Sequence, residues 1–553
     1  MTLIDRRLGL LFAAFVILFG IVIVRAAWVQ AVRGGALSAD AQGQQTESVV
    51  VPAQRGTILD RRGKELAVSE DAATVFATPY QVKDPEAAAR KLAPILNLPE
   101  HQILETLADR ESGFAYLARK VDLPTADRVR DLKIHGIDLI PDSRRVYPQG
   151  ELAGQVLGTV GIDNQGLTGL EAAEDDVLRG SDGERQIVRD GFGDELERDT
   201  TESPSEGEQL RLTIDAGIQA ETERVLAGIG DTYQPDGATA IVMDPQTSEV
   251  LSMANWPPVD PDELETTDPE DLGNMATGFT YEPGSTFKAF TVAGALGEGI
   301  VDPGTIFDLP PTITVYDRTI EEAHERGYVS LSVADILAQS SNVGAVKIGL
   351  ELGGERFDHW IRHFGFGEPT GIDFPGEERG IVIATDEYSG STMGNLPIGQ
   401  GLSVTPVQMA AGFSAIANGG ILRPPRLVLE EGGEAPEEPE GKRVMRRGTA
   451  DKLSEMLEGV LSEAAGGTAS DVSVPGYTLA GKTGTAQKVV DGTYSDTQFV
   501  ASFVGYAPAE DPQLLVAIVV DDPKGDYYGA TVAAPAFGEI AKFALPYLGI
   551  PPQ

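Results

Sequence analysis

Pro283-Gly284-Ser285-Thr286-Phe287-Lys288 sets a hydroxyl and an amine three residues apart, directly before the apolar helical pattern Ala289–Leu296. With a helix starting at Ser285, Lys288 lies one turn on, close to the same face. A serine hydroxyl is a poor nucleophile until a base takes its proton. Lysine is such a base only when neutral, which needs desolvation or a nearby cation to lower its pKa. A helix N-terminus also aims backbone N–H groups where an oxyanion would form. Alone, Ser-x-x-Lys is a frequent accident, so its meaning depends on the rest of the chain.

Two further signatures stand downstream in order. Ser340-Ser341-Asn342 closes a helical pattern that begins near Leu331. There Ser340 suits proton relay and Asn342 suits holding a substrate amide, although in isolation the stretch reads as a helix cap. Gly481-Lys482-Thr483-Gly484-Thr485 opens after an apolar strand expected at Tyr477–Ala480. Gly484 in a strand is a packing defect unless something approaches the backbone closely, as a peptide along the strand edge would. Lys482 is expected to be the second cation that depresses Lys288. Thr483 and Thr485 offer hydroxyls to a carboxylate. Together Ser-x-x-Lys, Ser-x-Asn and Lys-Thr-Gly are the established mark of penicillin-recognising serine enzymes.

The surroundings define the fold class. Apolar strands are expected at Ala238–Met243, Glu249–Ala254, Phe499–Tyr506 and Leu514–Val520. Helical patterns occupy Val333–Leu350, Pro406–Ala417 and Ala533–Leu545. Strands first and last with helices between argue an α+β domain around one antiparallel sheet flanked by helices. Glu430–Gly441, almost all Glu, Pro and Gly, reads as an exposed loop.

Ahead of this domain the chain divides into a short tail (1–7), an anchor (8–28) and a mixed α/β pedestal (29–205); the catalytic domain is expected over 206–553. Leu8–Val24 is wholly apolar, and 17 helical residues span roughly 26 Å. Arg25 can snorkel, extending the span to Trp28. Small residues at Ala26 and Ala27 also suit a cleavable signal peptide, whose apolar region usually stops at about 15 residues. The pedestal begins at Arg33-Gly34-Gly35 and contains the turn Asp60-Arg61-Arg62, expected to serve positioning and partner contact. Within it Asp84–Arg110 has helical periodicity, and Thr200–Glu208 reads as a linker.

Composition narrows the function. The absence of cysteine excludes a disulfide framework, a thiol nucleophile and a thiolate metal site. A formal charge of −42 repels nucleic acid. It reads as a heavily solvated surface, or as adaptation to high salt. His359 and His363 have a spacing that zinc sites use, but no intervening glutamate, and read as helix-surface residues. No metal or cofactor is expected.

Tyr281–Lys288 resembles the active-site sequence of class B penicillin-binding proteins, as do Gly399–Pro406 and Ala417–Gly420. Arg55–Gly63, Tyr147-Pro148 and Gly169-Leu170-Glu171 resemble the pedestal of that family, so the likeness covers nearly the whole chain after the anchor. Two departures stand out: Glu174 where the family usually has an aromatic, and Ser248 in place of a turn glycine.

The resemblance implies a peptidoglycan D,D-transpeptidase. Ser285 attacks the penultimate D-alanine carbonyl of a stem peptide, with the oxyanion on the backbone N–H groups of Ser285 and Thr485. Ser285, Lys288, Ser340, Asn342 and Lys482 are then catalytic, and Thr483, Gly484 and Thr485 bind substrate. β-Lactams acylate the same serine. The resemblance also implies a single-pass protein of the cytoplasmic membrane with an extracytoplasmic catalytic domain. Its implied partner is a membrane-embedded glycosyltransferase of the SEDS family, with other division proteins. Tyr527–Ala530 and Ala533–Phe537 look like the septal branch; an elongation role is the alternative. A β-lactamase, a penicillin-binding sensor and a structural division scaffold are weaker readings.

Overall fold

In the computed structural model, residues 3–30, 46–189, 195–263 and 267–552 are described. The pedestal start at Arg33-Gly34-Gly35 lies outside them. The apolar N-terminal stretch forms one helix, Leu3–Trp28, of which Arg6–Trp28 is long and apolar enough to cross a membrane.

The chain forms two compact units: Met1–Gln54, Asp71–Ser143 and Gly180–Glu206 in the first, Arg55–Glu70, Arg144–Arg179 and Gly207–Gln553 in the second. This division departs from a single boundary at 205/206. Two stretches of the expected pedestal, Arg55–Glu70 and Arg144–Arg179, belong to the same unit as the catalytic motifs. The reason is a buried ion cluster together with shared apolar packing. Glu171, fully buried, accepts from Arg55 Nε at 2.7 Å and from Arg145 Nε at 2.6 Å. Ile58–Leu59 pairs in parallel with Leu210–Leu212. Ile58, Leu66, Tyr147, Leu157, Leu170 and Leu178 enter one apolar core with the catalytic helices.

In the first unit the Asp84–Arg110 pattern resolves into two helices, Pro85–Leu96 and Glu100–Ala108. Asp84 caps the first by accepting from Ala87 N at 3.0 Å, and Asn97 ends it at φ 54°. The helices close over Val75 and Leu117 from the paired strands Ala72–Ala77 and Ala115–Asp122. The expected linker Thr200–Glu208 is structured instead: Thr200 and Glu202 belong to a strand paired with Gly183–Arg189, and Ser205 bridges Ser181. Its polar side chains do not prevent its backbone from joining a ladder.

The second unit is built on a five-stranded antiparallel sheet: β1 (Gly237–Met243), β2 (Val250–Trp256), β3 (Ala480–Val490), β4 (Thr493–Ala507) and β5 (Leu514–Asp521), in the order β2-β1-β5-β4-β3. Strands β1 and β5 are buried throughout because both sheet faces are covered. Alternate residues serve different cores. Ala240, Val242, Val516 and Ile518 meet α1 (Ala216–Tyr233), whereas Ile241, Met243, Leu515 and Ala517 face the helical layer. That layer holds α2 (Lys288–Gly297), α3 (Val333–Ala338), α4 (Asn342–Leu352) and α5 (Pro406–Ala417). The C-terminal α6 (Ala534–Tyr547) packs beside α1.

The expected helix Val333–Leu350 is thus two helices, broken at the Ser340-Ser341 pair. Ser341 caps α4 by accepting from Gly344 N at 2.9 Å, and Ser340 takes φ 58°. The expected strand at Tyr477–Ala480 starts only at Ala480. Tyr477 instead turns back to Val474 and donates its hydroxyl to the Ile550 carbonyl at 2.6 Å.

Candidate active site

Ser285 sits in a 3-10 turn, Gly284–Phe287, with the α-helix beginning at Lys288 rather than at Ser285. The turn is clamped from two sides. Gly284 has φ 54° and donates to the Gly399 carbonyl at 3.0 Å. A Cβ on Gly399 would lie 2.1 Å from the Gly284 carbonyl oxygen, so the Gly399-Gln400-Gly401 motif is the bed of the Ser285 turn. On the other side lies β3. A Cβ on Gly484 would lie 2.3 Å from Ser502 Oγ, 2.8 Å from Thr286 Cγ2 and 3.1 Å from the Pro283 carbonyl oxygen. The close approach that Gly484 permits is therefore made by the protein's own serine turn, not by a substrate alone.

Lys288 is 1% exposed. Its amine donates to the Ser340 carbonyl at 2.6 Å, to Asn342 Oδ1 at 2.7 Å and to Ser340 Oγ at 3.2 Å. The left-handed backbone of Ser340, unusual for a serine, accompanies this carbonyl contact. Burial pushes the amine down to about 7; Glu322 opposes that fall and Arg326 adds to it. Arg326 is thus a cation beside Lys288 that the motif spacing did not show, and the Lys288 and Lys482 amines repel each other. Lys482 is fully buried, and burial followed by the charge of Lys288 pushes it well below its ordinary value.

Lys482 donates to the carbonyl and hydroxyl of Thr483 at 3.2 and 3.3 Å. The Thr483 hydroxyl also lies 2.7 Å from that of Thr468. Thr485 Oγ1 accepts from Gly529 N at 3.0 Å, leaving its hydroxyl proton to donate. All eight residues predicted from the motifs lie on the elements that meet here: the serine turn and the start of α2, the α3–α4 break with the start of α4, and β3.

Sequence reasoning missed Glu322 and Arg326. Glu322 accepts from Asn342 N at 2.8 Å, Val343 N at 3.2 Å, Ser341 Oγ at 2.8 Å and Arg326 Nη2 at 2.5 Å. It therefore covers the start of α4 and steadies the Ser-Ser-Asn break. Their spacing of four residues was legible, but the link to a helix start 20 residues on was not. His359 and His363 stand together on the helix Gly354–His363, with ring centroids 5.5 Å apart.

The family model described as "Penicillin binding protein transpeptidase domain" matches residues 238–542, and that of the "Penicillin-binding Protein dimerisation domain" matches residues 50–212. The chain belongs to the penicillin-binding protein family, and this pairing of domains makes it a class B member, a peptidoglycan D,D-transpeptidase.

Among its relatives, Stage V sporulation protein D of Bacillus subtilis is 37% identical over 98% of this chain and 86% of its own length. Peptidoglycan D,D-transpeptidase FtsI of Escherichia coli is 32% identical over 100% and 93%. Among solved structures, penicillin binding protein 3 of Mycobacterium tuberculosis in complex with aztreonam superposes with a TM-score of 0.72 at 30% identity, covering 91% of this chain and 98% of that one.

Proposed function

We infer that Ser285 is the nucleophile and Lys288 its base, in a transpeptidase that cross-links peptidoglycan during septal wall synthesis. The observation that carries the assignment is the buried Lys288 amine, brought down to about 7 and held beside Ser340 and Asn342 one turn from Ser285. Neutral Lys288 takes the Ser285 proton as Oγ attacks the penultimate D-alanine carbonyl. Backbone N–H groups of Ser285 and Thr485 receive the oxyanion. Collapse breaks the peptide bond, and the departing D-alanine nitrogen takes the proton back through Ser340. An amine of a neighbouring stem then attacks the acyl-enzyme and loses its proton to Lys288, which passes it to Ser285 Oγ as the ester bond breaks. Asn342 holds the substrate amide; Thr483 and Thr485 receive the terminal carboxylate along the β3 edge, which Gly484 keeps close to the serine turn.

The Leu3–Trp28 helix serves as a single-pass anchor in the cytoplasmic membrane, with the catalytic domain on the outer side. The implied polymerase partner is a SEDS-family glycosyltransferase. The likeness to FtsI and the Tyr527-Tyr528-Gly529-Ala530 stretch support the septal role. Labelling with a fluorescent penicillin and mapping the adduct by mass spectrometry tests the assignment. It predicts one adduct, on Ser285, lost in Ser285→Ala; an adduct on another serine would overturn it. Imaging a fluorescent fusion tests the septal role, which a lateral-wall distribution would contradict.

A further inference from the structure

A cavity lies within the unit that carries the three motifs, lined by none of their residues. It has a volume of about 730 Å³ and is walled by the end of β2, the Glu270–Phe279 segment and the Phe374 loop. Two asparagines line it, Asn255 at 7% and Asn274 at 8% exposure. Each has its carboxamide oxygen occupied: Asn255 Oδ1 accepts from Met275 N at 3.0 Å, and Asn274 Oδ1 accepts from Ala276 N at 3.0 Å. The amide orientations are therefore set, and both Nδ2 groups are left buried without an acceptor among the described residues. Two such donors carry a cost that an acceptor in the cavity would remove.

The rest of the lining has one electrical character. Among the described residues it contains no Lys, Arg or His, whereas aromatic faces come from Trp256, Phe279 and Phe374. Of the carboxylates on the lining, Asp521 is paired with Lys488 at 2.7 Å and Asp236 with Lys524 at 3.3 Å. Glu270 and Asp271 remain uncommitted to any cation among the described residues. Burial, with Asp268 and Glu270 nearby, pushes the Asp271 carboxyl up, which an incoming cation would reverse.

We propose that this cavity is a docking site for a basic peptide segment of a partner protein, with an arginine or lysine against Asp271, Glu270 and the aromatic faces and its backbone carbonyls on the two asparagine amides. Cations bind over Trp and Phe faces, and carboxylates reinforce the attraction. A bare cation would leave the carboxamide donors unsatisfied, and a neutral sugar would leave the carboxylates unpaired. A peptide supplies charge and carbonyl together. The proposal does not depend on the catalytic roles assigned above.

The test is ligand-observed NMR on the full chain in detergent, with acetyl-Ala-Arg-Ala-amide, its citrulline counterpart and chitotriose as probes. The arginine peptide should bind about tenfold more tightly than the citrulline peptide, which lacks the charge. Asp271→Asn and Asn274→Ser should each weaken it about fivefold or more; serine still caps the Met275–Gly278 turn but lacks the N–H donors. Penicillin labelling of Ser285 should be unchanged in both variants, which also shows that they fold. Should Asn274→Ser not fold, Asn274→Thr also caps the turn, adds no charge and removes the N–H donors. Equal binding of the two peptides would overturn the proposal. So would binding of chitotriose that the same substitutions abolish, or the absence of any peptide binding.

Discussion

At the residue scale, the proposed chemistry rests on two amines and one ion pair. Arginine cannot be neutral near pH 7, so Lys288→Arg should lower the rate of penicillin acylation by about 10² or more. Stopped-flow measurement with a fluorescent penicillin checks this, and a loss under about threefold would remove Lys288 as the base. Lys482→Arg is no mild control, because it forces a fixed charge into a fully buried position. The ion pair offers a sharper test. With Lys288 as the proposed base, acylation needs its amine neutral, so the rate should rise with pH through about 7. Arg326 lowers the Lys288 pKa and Glu322 raises it. Arg326→Gln should therefore move the pH–rate midpoint up and Glu322→Gln should move it down. Shifts in the same direction would show that the pair acts only by shaping the α4 start.

At the element scale, the β1–β2 hairpin shows how a departure in sequence meets a demand of geometry. Ser248 stands where the family resemblance leads one to expect a turn glycine, and it takes φ 63°, a left-handed conformation costly for any residue with a Cβ. Its hydroxyl is buried with no partner among the described residues. Ser248→Gly removes both penalties and should stabilise the protein by about 1 kcal/mol, raising Tm by about 1–2 °C without changing acylation. Calorimetry checks it; an unchanged or lower Tm would mean that the turn holds no strain. The broken helix at Ser340-Ser341 has a related cause. Serine followed by asparagine is as much a start signal as a stop, and here Ser341 caps the following helix.

At the scale of the whole molecule, the interleaved units alter what a truncation should do. A fragment starting at residue 206 would lose Ile58, Leu66, Val156, Leu157, Leu170 and Leu178, all at 1% exposure or less. At about 1.5–3 kcal/mol for each buried aliphatic side chain, that loss matches or exceeds the usual net stability of a domain. The fragment should fail to fold and fail to bind penicillin, as circular dichroism and labelling would show; a folded, acylating fragment would refute the shared core. The Asp60-Arg61-Arg62 turn is likewise engaged within its own unit, with Arg61 on Glu249 at 3.2 Å and Arg62 on Asp215 at 2.8 Å. Arg61→Glu would therefore disturb the fold before any partner contact. The charge of −42 predicts a Tm that rises between low and molar salt, as screening relieves repulsion. A flat Tm would leave the acidity as surface solvation.

Ser285 with Lys288, Ser340 with Asn342, and Lys482 through Thr485 were readable from sequence because each signature is local: one turn, one cap, one strand. The α+β class was readable too, since apolar runs separated by helical periods report which segments are buried. What only the tertiary structure decided is whatever depends on residues far apart in the chain. The fall of Lys288 to about 7 arises from burial and from Arg326, 38 residues away by number. Gly484 is needed because Thr286 and Ser502 arrive beside it, and Glu171 because Arg55 and Arg145 converge on it. Local spacing sets which side chains share a turn, but burial and long-range charge exist only once the chain has closed around them.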